Sequence, residues 1–165
     1  MKRYDRTFNR IRRRKFEGFT LIELLVVIII LGILAAIALP QLLGQVAKGR
    51  QAEARNTLGA INRAQQAYRY ENGVFATLSD LPTKIPTKFY RLNQVGAADA
   101  IGSAYTATAE AEFNNDIKNY AGAAGQTPLG TYTGIVCEDE NPLDDNVATS
   151  NTVGVLACVN GVQVK

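Results

Sequence analysis

Sixteen consecutive residues, Leu24 to Leu39, carry no charge, and no other feature limits the possible folds as much. Phe19–Ile22 and the single Glu23 extend the apolar stretch to 21 residues. As a helix rising ~1.5 Å per residue it covers roughly 32 Å, the depth of a bilayer core. Directly before it, residues 1–18 hold Lys2, Arg3, Arg6, Arg10, Arg12, Arg13, Arg14 and Lys15 against Asp5 and Glu17, a net of +6. The whole chain is +3, so residues 19–165 carry −3 and the basic character belongs to the leader alone. A basic flank ahead of an apolar span predicts a cytoplasmic N-terminus with the remaining chain outside. A nucleic-acid arm and a buried core helix are the weaker readings, because neither needs this length with this flank. A secretory signal peptide competes. Residues 2–15 supply its basic region, 24–35 its apolar region, and Ala36-Ile37-Ala38 a small-x-small site with cleavage after Ala38.

The signal-peptide reading leaves Glu23 without a purpose. A carboxylate in an apolar span is costly, by about 2.5 kcal/mol or more at mid-helix and less near an end, and calls for a partner. Cleavage after Gly18 would give Phe19 a free amino group four residues before Glu23. That amine on a neighbouring copy can neutralise the carboxylate when subunits pack side by side. An unpaired charge in an apolar bundle is expensive, so the pairing favours one packing register. The plainer alternative is a glutamate lying at headgroup level.

Gly18-Phe19-Thr20-Leu21-Ile22-Glu23 followed by Leu24-Leu25-Val26-Val27-Ile28 resembles the type III signal of type IV pilins and pseudopilins. Pro40 falls where that family commonly has a helix-kinking proline. The likeness covers residues 18–72. It is nearest to cyanobacterial pilins through the stretch from Ala35 to Gln45. Two departures are a leader longer than the shortest in the family and the negative Glu17 beside Gly18. The resemblance implies that a membrane prepilin peptidase cuts between Gly18 and Phe19 and N-methylates Phe19. It further implies a subunit that packs through Glu23 and Phe19 into a helical homopolymer. An inner-membrane assembly platform with its own ATPases, the prepilin peptidase and minor pilins would be its partners, and any DNA binding would be indirect. The chain would sit in the inner membrane before assembly and in an extracellular fibre after it.

Beyond Pro40 the pattern turns polar with a thin apolar stripe. Ala54, Leu58, Ile61, Gln65 and Tyr68 recur at helical spacing, and Leu42, Leu43 and Val46 lead into them. This predicts one helix over 19–72, kinked or melted at Pro40, and closed by Asn72-Gly73. Residues 74–95, broken by Pro82 and Pro86, read as a linking loop. Ser103–Asn114 alternates with Tyr105, Ala107, Ala109, Ala111 and Phe113 on one face, the period of a half-buried strand. Gly130–Cys137 and Val153–Val159 read as further strands, and Asn160-Gly161 as a hairpin turn into Val162–Val164. The expected class is α+β. A leader (1–18) precedes a hydrophobic assembly helix (19–40) and its amphipathic continuation (41–73). Residues 74–165 form an extracytoplasmic loop and a small antiparallel sheet of three or four strands.

The chain has no His and no nucleophile–base constellation, so an enzyme is not expected. No GxxxxGK[ST] or GxGxxG loop occurs, and no cofactor is expected. Cys137 and Cys158 enclose 20 residues. Outside the membrane a disulfide is permitted, and in the chain-entropy model it stabilises by ~3 kcal/mol. Free buried thiols or a redox pair are the alternatives, and pilins often carry a disulfide-bounded loop near this position. Within the loop, Glu138, Asp139, Glu140, Asp144 and Asp145 do not follow a calcium-loop pattern, so a solvated acidic loop is expected and no metal. Tyr90, Tyr105, Tyr120 and Tyr132 read as core or rim residues rather than exposed adhesive ones. Three functions compete: a pilin whose fibre serves adhesion, twitching motility or DNA uptake, a pseudopilin of a type II secretion system, and a secreted domain freed at Ala38. Replacing Gly18 by a bulkier residue should leave the leader uncut; a processed variant, seen by intact mass, would refute that site.

Overall fold

In the computed structural model, residues 18–82, 85–144, 148–152 and 154–164 are described. The leader up to Glu17 and Asp145 of the acidic loop lie outside them. One helix, α1, runs Leu21–Asn72, and seven strands follow: β1 Tyr90–Val95, β2 Gly102–Ala109, β3 Tyr120–Gln126, β4 Tyr132–Glu138, β5 Ala148–Thr152, β6 Val155–Val159 and β7 Val162–Gln163. The chain divides into two compact units, Met1–Gln41 and Leu42–Lys165.

In the first unit every large apolar side chain from Leu21 to Leu39 is exposed. Pro40 lies inside α1, and the helix assignment continues through it, so no melted turn forms there. Its ring costs one backbone hydrogen bond, which a helix tolerates when the turns on either side are strong.

In the second unit the helix ends as the sequence predicts. Gly73 takes φ +75°, its amide donates to the Arg69 carbonyl at 3.0 Å, and the Asn72 side chain donates to the Tyr68 carbonyl at 3.0 Å. The buried stripe is Ala54, Thr57, Leu58, Ile61 and Gln65, with Tyr68 half-buried. Leu42, Leu43 and Val46 stay exposed, contrary to the stripe drawn through them, because the sheet covers only the later turns. Gln65 is wholly buried and grips one residue twice: Nε2 donates to the Ala76 carbonyl at 2.7 Å and Oε1 accepts the Ala76 amide at 2.9 Å.

The sheet has five antiparallel strands in the order β1-β2-β3-β4-β7, and β5-β6 form a separate ribbon. This exceeds the three or four expected, for identifiable reasons. β1 lies within the supposed loop 74–95, pairing Tyr90 with Ala109 through Val95 with Ala104. β2 stops at Ala109, and residues 111–117 form turns. β3 carries no strand signal in the sequence, because Tyr-Ala-Gly-Ala-Ala-Gly-Gln shows neither alternation nor β-propensity. It is the central strand, buried from Tyr120 through Gly125. One face meets α1 and the other meets the ribbon, so small residues are what fits. A Cβ on Gly122 would stand 2.4 Å from the Tyr105 ring, and Gly122 pairs directly with Tyr105. The Asn160-Gly161 turn is present, with Asn160 at φ 54°, but it makes no hairpin with β6. β7 pairs instead with β4, Cys137 opposite Gln163.

Two apolar clusters result. Ala54, Leu58 and Ile61 of α1 pack with Tyr90, Tyr105, Ala107, Ile117 and Tyr120. On the opposite face Ala121, Ala123, Ile135 and Cys137 pack with Leu156 and Cys158. The Cys137–Cys158 disulfide forms and ties the ribbon to β4. The tyrosines take their core role: Tyr90, Tyr105 and Tyr120 are buried, and Tyr132 is half-buried. Burial raises the hydroxyl of Tyr120 from 10.0 to about 12 and that of Tyr132 to about 12. Burial also raises Tyr90 and Tyr105. Each folded value exceeds the unfolded one. The stabilisation is therefore whole below pH about 10 and is lost as pH climbs through the folded values. The second unit should hold at pH 9 and unfold cooperatively on passing from about 10 to 12. Tyrosinate absorbance and far-ultraviolet dichroism should change together.

Candidate functional site

Gly18, Phe19 and Glu23 lie at the start of α1, whereas Pro40 falls within the helix and the Cys137–Cys158 disulfide within the second unit. Gly18, Phe19 and Thr20 precede the helix and are exposed, Phe19 at 90%. A Cβ on Gly18 would meet no atom within 4 Å, so nothing among the described residues requires glycine there.

Glu23 is not left unsatisfied. Its Oε2 accepts the Thr20 amide at 2.8 Å and the Thr20 hydroxyl at 2.9 Å. In return the Glu23 amide donates to Thr20 Oγ1 at 3.2 Å. This is a capping box, with Thr20 at the N-cap and Glu23 at N3. The Leu24 amide donates to the Thr20 carbonyl at 3.3 Å, closing the first turn. The carboxylate also sits at the positive end of the helix dipole. The signal is legible in the sequence as Thr20-Leu21-Ile22-Glu23 just before an apolar run, and it gives Glu23 a partner within its own chain. Among the described residues, then, Glu23 is brought to Thr20 rather than to Phe19. From this end the exposed apolar surface continues through Val46, each large side chain 43–90% accessible.

A second set of polar groups was missed, because single polar residues in a helix carry no sequence signal for a partner. Glu53 Oε1 accepts the amides of Lys88 and Phe89 at 2.7 and 3.0 Å. Asn62 Nδ2 donates to the Ile135 carbonyl at 3.1 Å. The hydroxyls of Tyr105 and Tyr132 donate to the Asn62 side-chain and backbone oxygens respectively. Arg50 stacks over Phe113, 4.5 Å from the ring centre, and approaches Asp116 at 3.7 Å. These contacts lock the helix to the sheet.

The acidic loop departs from the solvated reading. Glu138 lies 3.6 Å from Lys118 and accepts the Tyr120 hydroxyl at 3.3 Å. Asp139 is buried, and its amide donates to the Asn119 carbonyl at 3.0 Å. Asp144 Oδ2 accepts the Asn141 amide at 3.1 Å. Backbone pairing of β4 with β3 and β7 draws the first two carboxylates inward, which composition does not reveal.

A long helix with an exposed apolar start, a capped glutamate in its first turn and an antiparallel sheet over its second half together describe a pilin-like subunit. The chain belongs to the type IV pilin-like G and H family, whose model matches residues 51–159. The prokaryotic N-terminal methylation motif matches residues 13–39, a span that contains Gly18, Phe19 and Glu23. Among similar proteins, the type II secretion system core protein G of Vibrio cholerae is 42% identical over 66 residues, 40% of this chain and 45% of its own. The type IV major pilin protein PilA of Myxococcus xanthus is 35% identical over 89 residues, 54% of this chain and 34% of its own. The fimbrial protein EcpC of Eikenella corrodens is 49% identical over 59 residues, 36% of this chain and 39% of its own. The chain thus spans less than half the length of each. No solved structure matches it.

Thr20→Val removes the capping hydroxyl and should destabilise the first turn by about 1 kcal/mol. Amide exchange of Glu23 in micelles should then quicken roughly fivefold. Unchanged exchange would show that the cap contributes nothing.

Proposed function

We propose that the chain is a structural, non-catalytic subunit that polymerises into a type IV pilus fibre after cleavage between Gly18 and Phe19. The observation that carries this reading is the bare apolar surface of α1. A core complete without residues 21–46 leaves that surface for another environment, first lipid and then copies of itself. α1 is the one helix among the described residues long and apolar enough to cross a membrane, and none of its apolar window is buried. The match of residues 13–39 to the methylation motif supports N-methylation of Phe19. The absence of His from the chain supports the non-enzymatic reading.

In the mechanism that follows, the basic leader holds the N-terminus in the cytoplasm. A prepilin peptidase removes residues 1–18, with Gly18 giving its backbone close access. The capping box satisfies Glu23 within the inner membrane until the Phe19 amine of a neighbouring copy offers a charge partner. An assembly platform and its ATPases then drive extraction into an extracellular helical homopolymer, with minor pilins as further partners. Adhesion, twitching motility or DNA uptake is the use proposed for the fibre, DNA contact being indirect. The likeness to core protein G of Vibrio cholerae supports a second reading, a pseudopilin with the same processing but a short periplasmic fibre.

Intact mass distinguishes the outcomes. Loss of 18 residues with one added methyl supports pilin processing, and recovery in sheared surface material supports the pilus over the pseudopilus. Loss of 38 residues would mean a secreted domain. Glu23→Ala removes the cap and the charge together, whereas Glu23→Gln retains a capping side chain and removes only the charge. Both variants should insert in the membrane yet assemble poorly. Normal fibres with Glu23→Gln would overturn the charge-pairing role.

A further inference from the structure

The dipeptide Asn-Gly occurs twice, at 72–73 and 160–161. It is prone to lose its side-chain amide, because glycine leaves the backbone nitrogen that follows open to approach. The fold treats the two copies differently. Asn72 and Gly73 are exposed but held at both reacting groups. The Asn72 amide donates to the Tyr68 carbonyl at 3.0 Å, and the Gly73 nitrogen donates to the Arg69 carbonyl at 3.0 Å. Asn160 is exposed too and stands at φ 54° between β6 and β7. Among the described residues, neither its side chain nor the Gly161 nitrogen makes a hydrogen bond. The ladder explains the free nitrogen. Val164 donates its amide to the Val136 carbonyl at 2.8 Å, and Val162 lies opposite Glu138. Antiparallel pairing directs alternate amides at the neighbouring strand, so those of Val162 and Val164 face β4 and that of Gly161 points away. Nor is the turn clamped. β6 and β7 do not pair with each other, and β7 is a two-residue strand at the sheet edge, so local opening is easy.

We propose that Asn160 is a site of spontaneous covalent modification, converted to aspartate and iso-aspartate through the backbone nitrogen of Gly161. That nitrogen gives its proton to water and attacks Asn160 Cγ. A carbon–nitrogen bond forms, the bond from Cγ to the side-chain nitrogen breaks, and ammonia leaves with a proton taken from water. Water then opens the cyclic imide at either carbonyl, and nothing is oxidised or reduced. Asn160 and Gly161 line an open pocket of about 520 Å³ together with Asp139, Glu140 and Asp144. Those carboxylates oppose proton loss from the nitrogen, an effect weakened by solvent screening at an exposed site. The product adds a further carboxylate to the pocket. Its iso form also inserts a methylene into the backbone just before β7, which displaces the pairing of Val162 with Glu138.

The test follows the full chain in detergent micelles at neutral pH, sampled over time and mapped by peptide mass spectrometry. Digestion in water carrying heavy oxygen marks any conversion that occurs during handling. The Asn160 peptide should accumulate two products, each shifted by the exchange of an amide for an acid. It should do so roughly tenfold faster than the Asn72 peptide, since two hydrogen bonds must open before Asn72 reacts. In the chain unfolded by denaturant the two sites should convert at equal rates. Gly161→Ala crowds the attacking nitrogen and should slow conversion severalfold; Gly161 is outside the left-handed region, so alanine suits the turn. The Val164 amide should exchange faster in the iso-aspartate form than in Asn160→Asp, which adds the charge without the methylene. Equal rates in the folded chain, or no conversion at Asn160 where the unfolded chain converts both, would overturn the site. A difference that persists unchanged in the unfolded chain would assign it to neighbouring sequence and overturn the role of the fold. Equal Val164 exchange in the two forms would overturn the effect on β7.

Discussion

One helix must satisfy two different surroundings. Over its first turns the apolar side chains point in every direction, and none of the described residues covers them. Over its later turns only a narrow stripe is apolar, and a sheet covers that stripe. The change happens near Pro40–Val46, where the residues are still apolar but the sheet has not begun. That exposed apolar length is the surface that the proposed function assigns to lipid and then to further copies.

Within the second unit the helix is held by more than apolar contact. Leu58 and Ile61 fill the space under Tyr105 and Tyr120. Glu53, Asn62 and Gln65 each satisfy backbone or hydroxyl groups of the opposing layer, which fixes the helix in register as well as burying it. Opposite, the disulfide holds the β5–β6 ribbon over the small residues of β3. The central strand is thin on both sides, and bulk comes from the layers around it.

In the proposed assembly Glu23 combines a local role with an intermolecular one. Its carboxylate closes a capping box with Thr20, so a charge in an apolar span is not without partners before assembly. The same carboxylate lies close to where cleavage would create an amine. Exchange of a neutral hydrogen-bond partner for a charged one would lower its energy on packing without leaving it bare in either state.

The amino-acid sequence alone determined the long helix, its apolar first half, its Gly73 end, the core tyrosines and the α+β class. These follow from periodicity and from single residues with strict backbone demands. The strand count, the partner of β7 and the places of Glu138 and Asp139 were decided only by the tertiary structure. β3 reads as nothing in particular because alanine and glycine are chosen for the closeness of neighbours on both faces. β7 follows a turn that suits a hairpin, yet it pairs with β4. Glu53 and Asn62 look like solvent-facing helix residues until the segment before β1 and the sheet bring their partners. Pairing across long sequence separations depends on which surfaces meet, and local pattern does not record that.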